Sequence, residues 1–422
     1  MLKTTQIVVI GGGIVGCAAA YYLAKRGIAV TLFEKGTIAG EQSSRNWGFV
    51  RQQGRDPAEL PLMMECNALW RDLEEELGVD LGWRQDGNLR VMTEESQVGP
   101  YQAWMEIAKA HGLDTQLLDA RDTRSLLPGL ATPVLGALFT RSDGQANPAR
   151  VAPAFAQAAC RLGADVVSNC AVDTIETSGG MISGVATEQG FIRCEAAVCT
   201  AGAWSSRVTR SLGLRIPQLW LRASVGYTGK GEPLTGCGVW MPGVAFRQGL
   251  DGGFNIAYGG RYKHDLTLDS FRFFGDFLGC YKKYRKAIGV TLDHNLLHDV
   301  TGDLDTFSRH RVLNPRPVRR DLGDALANFK TSFPQYDDLD FERTWAGYID
   351  ATPDMLPIID RVEQPAGLVL ATGFSGHGFG LGPISGLLAS RLALEEQPGH
   401  DLRAFRYSRY QEGGKVTPGN VL

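Results

Sequence analysis

The junction between the first apolar run and the stretch after it constrains this chain more than any other part. Gln6 to Ile10 reads as a β-strand and leads into Gly11-Gly12-Gly13-Ile14-Val15-Gly16. A helix-like stretch continues to Arg26 and Gly27 closes it. A second apolar run, Ala29 to Phe33, then ends on Glu34 and Lys35. The spacing is that of a dinucleotide-binding βαβ unit, and each piece has a mechanical reason. Gly11 permits the tight turn off the strand, Gly13 lets backbone approach a pyrophosphate, and Gly16 lets the helix pack closely on the sheet. The helix start at Ile14 and Val15 offers N–H groups to phosphates, and Glu34 is placed to accept hydrogen bonds from a ribose diol.

The chain has 422 residues, too many for one ordinary core, so two domains are expected. A formal charge of −3 points to no nucleic-acid or anionic-membrane partner. The N-terminal apolar run is short, leads straight into the glycine turn and has no cleavage-site pattern, so it does not read as a signal peptide. No stretch has the length of a membrane span, while peripheral membrane contact stays open. The eight cysteines are scattered with no CxxC pair, which reads as free thiols of a cytoplasmic protein.

Farther along, residues 57–78 and Ser96 to His111 have helical spacing, and Asn88 to Met92 is strand-like. A turn at Asp143 to Pro148 opens a helix from Ala149 to Leu162. Asp165 to Ser168, a hairpin of Ala171 to Glu176 with Met181 to Thr187, and Phe191 to Cys199 supply strands returning to the first sheet. Residues from about 217 to 335 differ, with aromatic-rich strands (Val239 to Arg247, Gly253 to Tyr258) and a long helix expected over Leu268 to Ala287. The last part returns to βα character: a strand at Gly367 to Thr372, a glycine-dense loop from Gly373 to Gly382, and a helix from Ile384 to Leu394. The fold class is therefore α/β, with a Rossmann-like domain over 1–80, 145–216 and 336–422. An antiparallel-sheet substrate domain over 81–144 and 217–335 is inserted into it.

Four separated motifs converge: Ser43-Ser44-Arg45-Asn46-Trp47-Gly48; Asp143 to Pro148 with its helix and Ala171-Val172; Ala201-Gly202-Ala203-Trp204; and Trp345-Ala346-Gly347 with Thr352-Pro353-Asp354, Pro357 and Ala371-Thr372-Gly373-Phe374-Ser375-Gly376-His377-Gly378. In this order the chain resembles the superfamily of D-amino-acid oxidase, glycine oxidase and sarcosine oxidase, which are FAD flavoproteins. The resemblance implies a glutathione-reductase-type FAD domain. It implies that Ser43 to Phe49 lie where pyrophosphate and flavin meet, with Val172 at the adenine edge. It further implies that Ala201, Gly202, Trp204 and the loop Gly373 to Gly378 line the cofactor, the loop's N–H groups facing the flavin N1–C2=O locus.

Several departures from the resemblance bear on function. The arginine that clamps a substrate carboxylate in several amino-acid oxidases is replaced by Ile349. The cysteine carrying covalent flavin in monomeric sarcosine oxidases corresponds to Gly347, so FAD is expected to be non-covalent. Their second carboxylate contact, a lysine, falls at Gly380, and their oxygen-activating lysine aligns loosely with Asn255, which favours a dehydrogenase over an oxidase. Arg51 is the first candidate for a relocated anion site, with Arg55, Arg222, Arg247 and Arg261 behind it. Arg51, Tyr258, Tyr348 and Asp350 are candidates for the substrate pocket, and Arg51, Tyr348 and His377 for catalysis. His377 is expected to position the loop and flavin rather than to move protons. His294 and His298 stand four apart with His310 farther on, but Asn295 replaces the glutamate of a zinc protease motif and no metal site is expected.

These readings point to oxidation of a C–N bond in a primary or secondary amine or amino acid, with oxygen, a quinone or a carrier protein taking the electrons. Two alternatives remain at this level. One is oxidation of a 2-hydroxy acid or polyol phosphate with His377 as base, and the other is an FAD-binding subunit of a larger complex.

Overall fold

The computed structural model describes residues 4–292, 310–412 and 419. One sheet is built from short runs buried on both faces, as expected for parallel strands covered on either side. Its six strands run in the order Ile358–Arg361, Leu368–Thr372, Ala196–Cys199, Ile7–Ile10, Val30–Phe33, Asp165–Val167, all parallel except the first. Successive side chains of Ile7–Ile10 point to opposite layers. Ile7 and Val9 join a core with helices Ile14–Lys25, Pro148–Arg161 and Gly378–Ala393, whereas Val8 and Ile10 join a core with the small antiparallel sheet Val172–Ser178, Met181–Thr187 and Gly190–Arg193. This sandwich fixes the glycine turn at the carboxyl end of the central strand.

The second sheet has ten strands and is mostly antiparallel, with parallel pairings of Gly238–Met241 to Asn88–Met92 and of Tyr262–Asp265 to Ile288–Thr291. Helix Arg319–Ser332 covers one face, where Phe246, Phe254, Phe329 and Phe333 form a cluster of edge-on and tilted rings. Phe341–Ala351 pairs with Leu219–Lys230 from Leu219↔Ala351 to Thr228↔Phe341, so this strand belongs to the second sheet while leading back towards the first.

The structure divides three segments that read as continuous. Phe191 to Cys199 splits into Gly190–Arg193 and Ala196–Cys199, which lie in different sheets. Val239 to Arg247 folds back on itself at Pro242-Gly243, where Gly243 has φ +77°. Leu268 to Ala287 breaks at Phe273 into Leu268–Arg272 and Phe274–Tyr284. The glycine-dense stretch is helical from Gly378 onwards. Its glycines serve close packing: a Cβ on Gly382 would lie 2.7 Å from Ile14, and one on Gly386 2.5 Å from Ala18.

Candidate functional site

A long cleft opens along the carboxyl ends of the parallel strands and continues beneath the second sheet. At one end lies the glycine turn. Gly11 has φ +106°, and a Cβ on Gly16 would sit 2.0 Å from the Gly11 carbonyl, so neither position admits a side chain without moving the turn. A Cβ on Gly13 would meet only Ser43 Oγ, at 3.1 Å, which leaves open space in front of the helix. Gly13 caps that helix without a side chain, and Ile14 N–H donates to Ser43 Oγ at 2.9 Å. Glu34 accepts from the N–H groups of Gly12 and Gly36, both at 2.7 Å, while burial raises its pKa above the ordinary carboxylate value. A carboxylate retains acceptor sites beyond those two bonds. This cradle, a capless helix start with a carboxylate at the next strand end, fits an FAD tail. Val172, Ala201, Gly202 and Trp204 line the same end, and Lys35 lies over the Trp204 ring at 3.5 Å.

Farther along, Ser43, Arg45, Asn46, Trp47 and Phe49 form one wall. Arg45 donates to the carbonyls of Gly40 (2.9 Å) and Ala346 (3.0 Å), and Trp345 Nε1 donates back to the Arg45 carbonyl at 3.0 Å. Asn46 holds its own turn by donating to Ser43 O and accepting from Gly48 N–H. The facing wall is the loop from Phe374 to Gly378. Asp350 anchors it, accepting from Gly373 N–H at 2.9 Å and from Gln42 Nε2 at 2.8 Å; burial pushes its pKa up to about 6.

The far end is cationic and aromatic. Arg51, half-buried, and Arg55, 4% exposed, line it with Trp240 and Tyr262. Arg51 lies 5.9 Å from the Trp240 ring centre and Arg90 5.6 Å from the same ring. Burial, then repulsion from Arg55 and Arg90, lowers Arg51 to about 9. Arg55 Nε donates to the Arg51 carbonyl at 3.1 Å, whereas its buried Nη1 has no hydrogen-bond partner among the described residues. Two buried carboxylates stand nearby. Asp143 accepts from Gln52 N–H at 2.7 Å and is pushed up to about 6, while Glu59 faces His377 and is pushed up to about 7. Burial is the main cause for both. His377, at the start of helix Gly378–Ala393, is held well below its ordinary pKa by burial and by Arg55 and Arg51.

Most candidates read from the sequence meet in this cleft, with some corrections. Gly16, Ser44, Gly48 and Gly373 do not line it. Gly16 packs beneath the turn, Ser44 donates to Ala39 O at 2.6 Å, Gly48 lies against Ala146 and Arg247, and Gly373 supports the loop from behind. Tyr258 is displaced: its ring stacks on Arg261 at 3.6 Å, away from the cleft lining. Tyr348 does line the cleft, but its hydroxyl donates to Asp265 at 2.8 Å, and Asp265 in turn pairs with Arg222 at 3.0 Å. Asp350 lines the cleft as well, with its carboxylate accepting from Gly373 N–H and Gln42 Nε2. Arg247 and Arg261 lie outside the lining. Ile349, in place of a clamping arginine, presents an apolar side chain to the cleft near Gly376. Gly380, in place of a lysine, offers its carbonyl to Trp70 Nε1 at 2.9 Å. Asn255 lines a second, arginine-rich hollow beside Arg45 and Asn46. Glu59, Gln42, Trp240 and Tyr262 escaped the sequence reading; Glu59 precedes the helix that starts at Leu60, and no pattern in the sequence marked it.

His294 and His298 lie outside the described residues, and the His310 carbonyl accepts from Lys35 Nζ. All eight cysteines are free and none lines the cleft. No helix among the described residues is long and apolar enough to cross a membrane.

With this geometry in view, comparison with known proteins is decisive on kinship. Residues 6–392 match the model of the DAO family, FAD dependent oxidoreductase. The chain belongs to this family. Its cofactor is FAD. Among curated relatives, mitochondrial sarcosine dehydrogenase of Mus musculus is 27% identical over 97% of the chain, which spans only 42% of that protein's length. Sarcosine oxidase subunit beta of Rhizobium meliloti (strain 1021) is 28% identical, with 97% of this chain and 89% of that one covered. The structure of L-amino acid deaminase from Proteus myxofaciens in complex with anthranilate superposes with a TM-score of 0.91 at 28% identity, covering 97% and 94% of the two chains.

Proposed function

We propose that this flavoprotein oxidises the C–N bond of an amino acid, primary or secondary, whose carboxylate is held by Arg51 and Arg55. The observation that carries the reading is the buried Arg55 Nη1 without a partner, beside Arg51, in the same cleft as the glycine turn and the His377 loop. A buried guanidinium N–H left unmade is costly, and a carboxylate satisfies two such donors in a fork. The names of the relatives support the substrate class, since sarcosine and L-amino acids are carboxylate-bearing amines.

The chemistry FAD supplies there is acceptance of a hydride from the carbon that bears nitrogen. The residues of the chain do the rest. Gly11 to Val15 and Glu34 would hold the nucleotide end of FAD, and Ser43, Arg45, Asn46, Trp47 and Phe49 with Phe374 to Gly378 would hold its ring. Arg51 and Arg55 orient the substrate by its carboxylate, and a fixed geometry is worth several orders of magnitude in rate. Trp240, Tyr262 and Ile349 exclude water. Desolvation and the neighbouring guanidinium charges both lower the pKa of a bound ammonium, freeing the lone pair without a dedicated base. The imine product is hydrolysed by water to a carbonyl compound. FAD is non-covalent, since no cysteine reaches the cleft and Gly347 stands at the attachment position.

Steady-state assays of flavin-loaded protein with a soluble dye acceptor and carbonyl trapping test this reading. Amino acids should give carbonyl product, whereas the amines made by removing their carboxylate should give at least tenfold less at equal concentration. Equal turnover of both would remove the arginine pair from substrate recognition.

A further inference from the structure

Helices Leu268–Arg272 and Phe274–Tyr284 carry large apolar side chains on two adjoining faces, one turned inward and one outward. The inner face, Phe273, Phe277, Cys280 and Tyr284, packs into a core with Leu221, Tyr262 and Met355. The outer face carries Phe271 (63% exposed), Phe274 (65%), Leu278 (40%) and Tyr281 (50%) at spacings of three and four residues. A surface helix ordinarily confines its large apolar residues to the stripe that faces the core, and this one carries a second, exposed stripe. The concentration is local: seven of the thirteen exposed large hydrophobic residues among those described fall between Leu268 and Leu292.

The charges around this stripe decide what covers it. Arg272, Lys282, Lys283, Arg285 and Lys286 lie on or beside the same exposed segment, against only two carboxylates. Asp269 pairs with Arg210 at 3.1 Å and with Arg272 at 3.5 Å, and Asp276 pairs with Arg215 at 2.5 Å, which leaves Lys282, Lys283, Arg285 and Lys286 in excess. The segment is therefore locally basic on a chain whose overall charge is −3. A second copy seated through a two-fold axis would set these cations against their equivalents. An anionic lipid surface takes aromatic and leucine side chains at the acyl boundary and basic ones at the headgroups.

We propose that the outer face of residues 268–286 docks this protein on anionic lipid bilayers. The cleft lies one side-chain layer behind it: Tyr262 and Ile349, which line the cleft, contact the same core as the inner face of the helix. Docking thus sets the oxidation site beside the lipid phase, where an apolar electron acceptor would be concentrated.

Vesicle flotation of the full-length, flavin-loaded protein tests this. At low ionic strength it should float with vesicles of phosphatidylcholine mixed with phosphatidylglycerol, with a partition coefficient at least tenfold above that for phosphatidylcholine alone. Phe271→Ser with Phe274→Ser should lower that partition about tenfold or more, while flavin content and turnover with a soluble dye stay unchanged. Lys282→Glu with Arg285→Glu should abolish the preference for anionic lipid. Failure of the wild-type protein to float with anionic vesicles would overturn the proposal. So would undiminished flotation of the serine variant, or self-association of the wild type that this variant abolishes in place of vesicle binding.

Discussion

His377 Nδ1 lies 3.0 Å from Oε2 and 3.1 Å from Oε1 of Glu59, with both side chains buried at the edge of the cationic end of the cleft. Burial disfavours charge on each partner, so the histidine is pushed down and the glutamic acid up, to about 7. The pair fixes the start of helix Gly378–Ala393 against the segment that carries Arg51 and Arg55.

The pair is a positioning device in this account, so His377→Ala should cost turnover only modestly. A loss of about tenfold in kcat with amino acids is expected, read with a dye acceptor at saturating substrate. General-base removal of a hydroxyl proton is worth roughly 10²–10⁴-fold. A loss in that range, with hydroxy acids as the better substrates, would give His377 the role of base.

Carboxylate binding should depend on pH through Glu59. Its pKa of about 7 means that it is neutral below that pH and ionises above it. Ionisation places negative charge beside Arg55 and Arg51, so binding of a simple carboxylate such as propionate should weaken as pH rises from 6 to 8. Glu59→Gln should flatten that dependence. Titration by the flavin absorbance shift checks it, and an unchanged slope in the variant would assign the titration elsewhere.

Removing the guanidinium should be felt mainly in binding. Arg51→Met should raise KM for amino acids by about 30- to 1,000-fold, the cost of leaving a buried carboxylate unpaired being roughly 2–4 kcal/mol. Arg51→Lys should recover little, because an ammonium cannot reproduce the planar fork. The KM-against-kcat split from initial rates reads this directly.

Cofactor retention tests the nucleotide end. Gly13→Val should give protein without flavin, Glu34→Ala should weaken retention, and Gly16→Ala should disturb the turn because its Cβ would sit 2.0 Å from the Gly11 carbonyl. The ratio of flavin to protein absorbance measures each, and a fully loaded Gly13→Val protein would contradict the assignment. Acid precipitation of the wild type should leave a colourless pellet.

The nucleotide end was legible because its geometry is local: turn, helix start and acidic strand tip lie within 30 residues of one another and obey backbone rules. Arg51 was legible for a similar reason, being five residues from Asn46. The substrate end was not, because it is assembled from distant segments. Trp240 and Tyr262 reach the cleft from the second sheet, and nothing in their spacing shows which face they take. Tyr258, four residues before Tyr262, stacks outside on Arg261 instead. For Asp350 the sequence placed the residue at the cleft but not its hydrogen bonds. Its oxygens hold Gly373 and Gln42. The glycines from Gly378 to Gly382 misled, since close helix packing needs the missing Cβ as much as a loop does.

Anaerobic mixing of the flavin-loaded protein with an amino acid, its decarboxylated amine and the corresponding 2-hydroxy acid, followed at the flavin band, tests the central claim most directly. The account predicts bleaching by the amino acid without any partner protein, little by the amine and none by the hydroxy acid. Bleaching by the hydroxy acid alone, or by no compound until a partner is added, would contradict it.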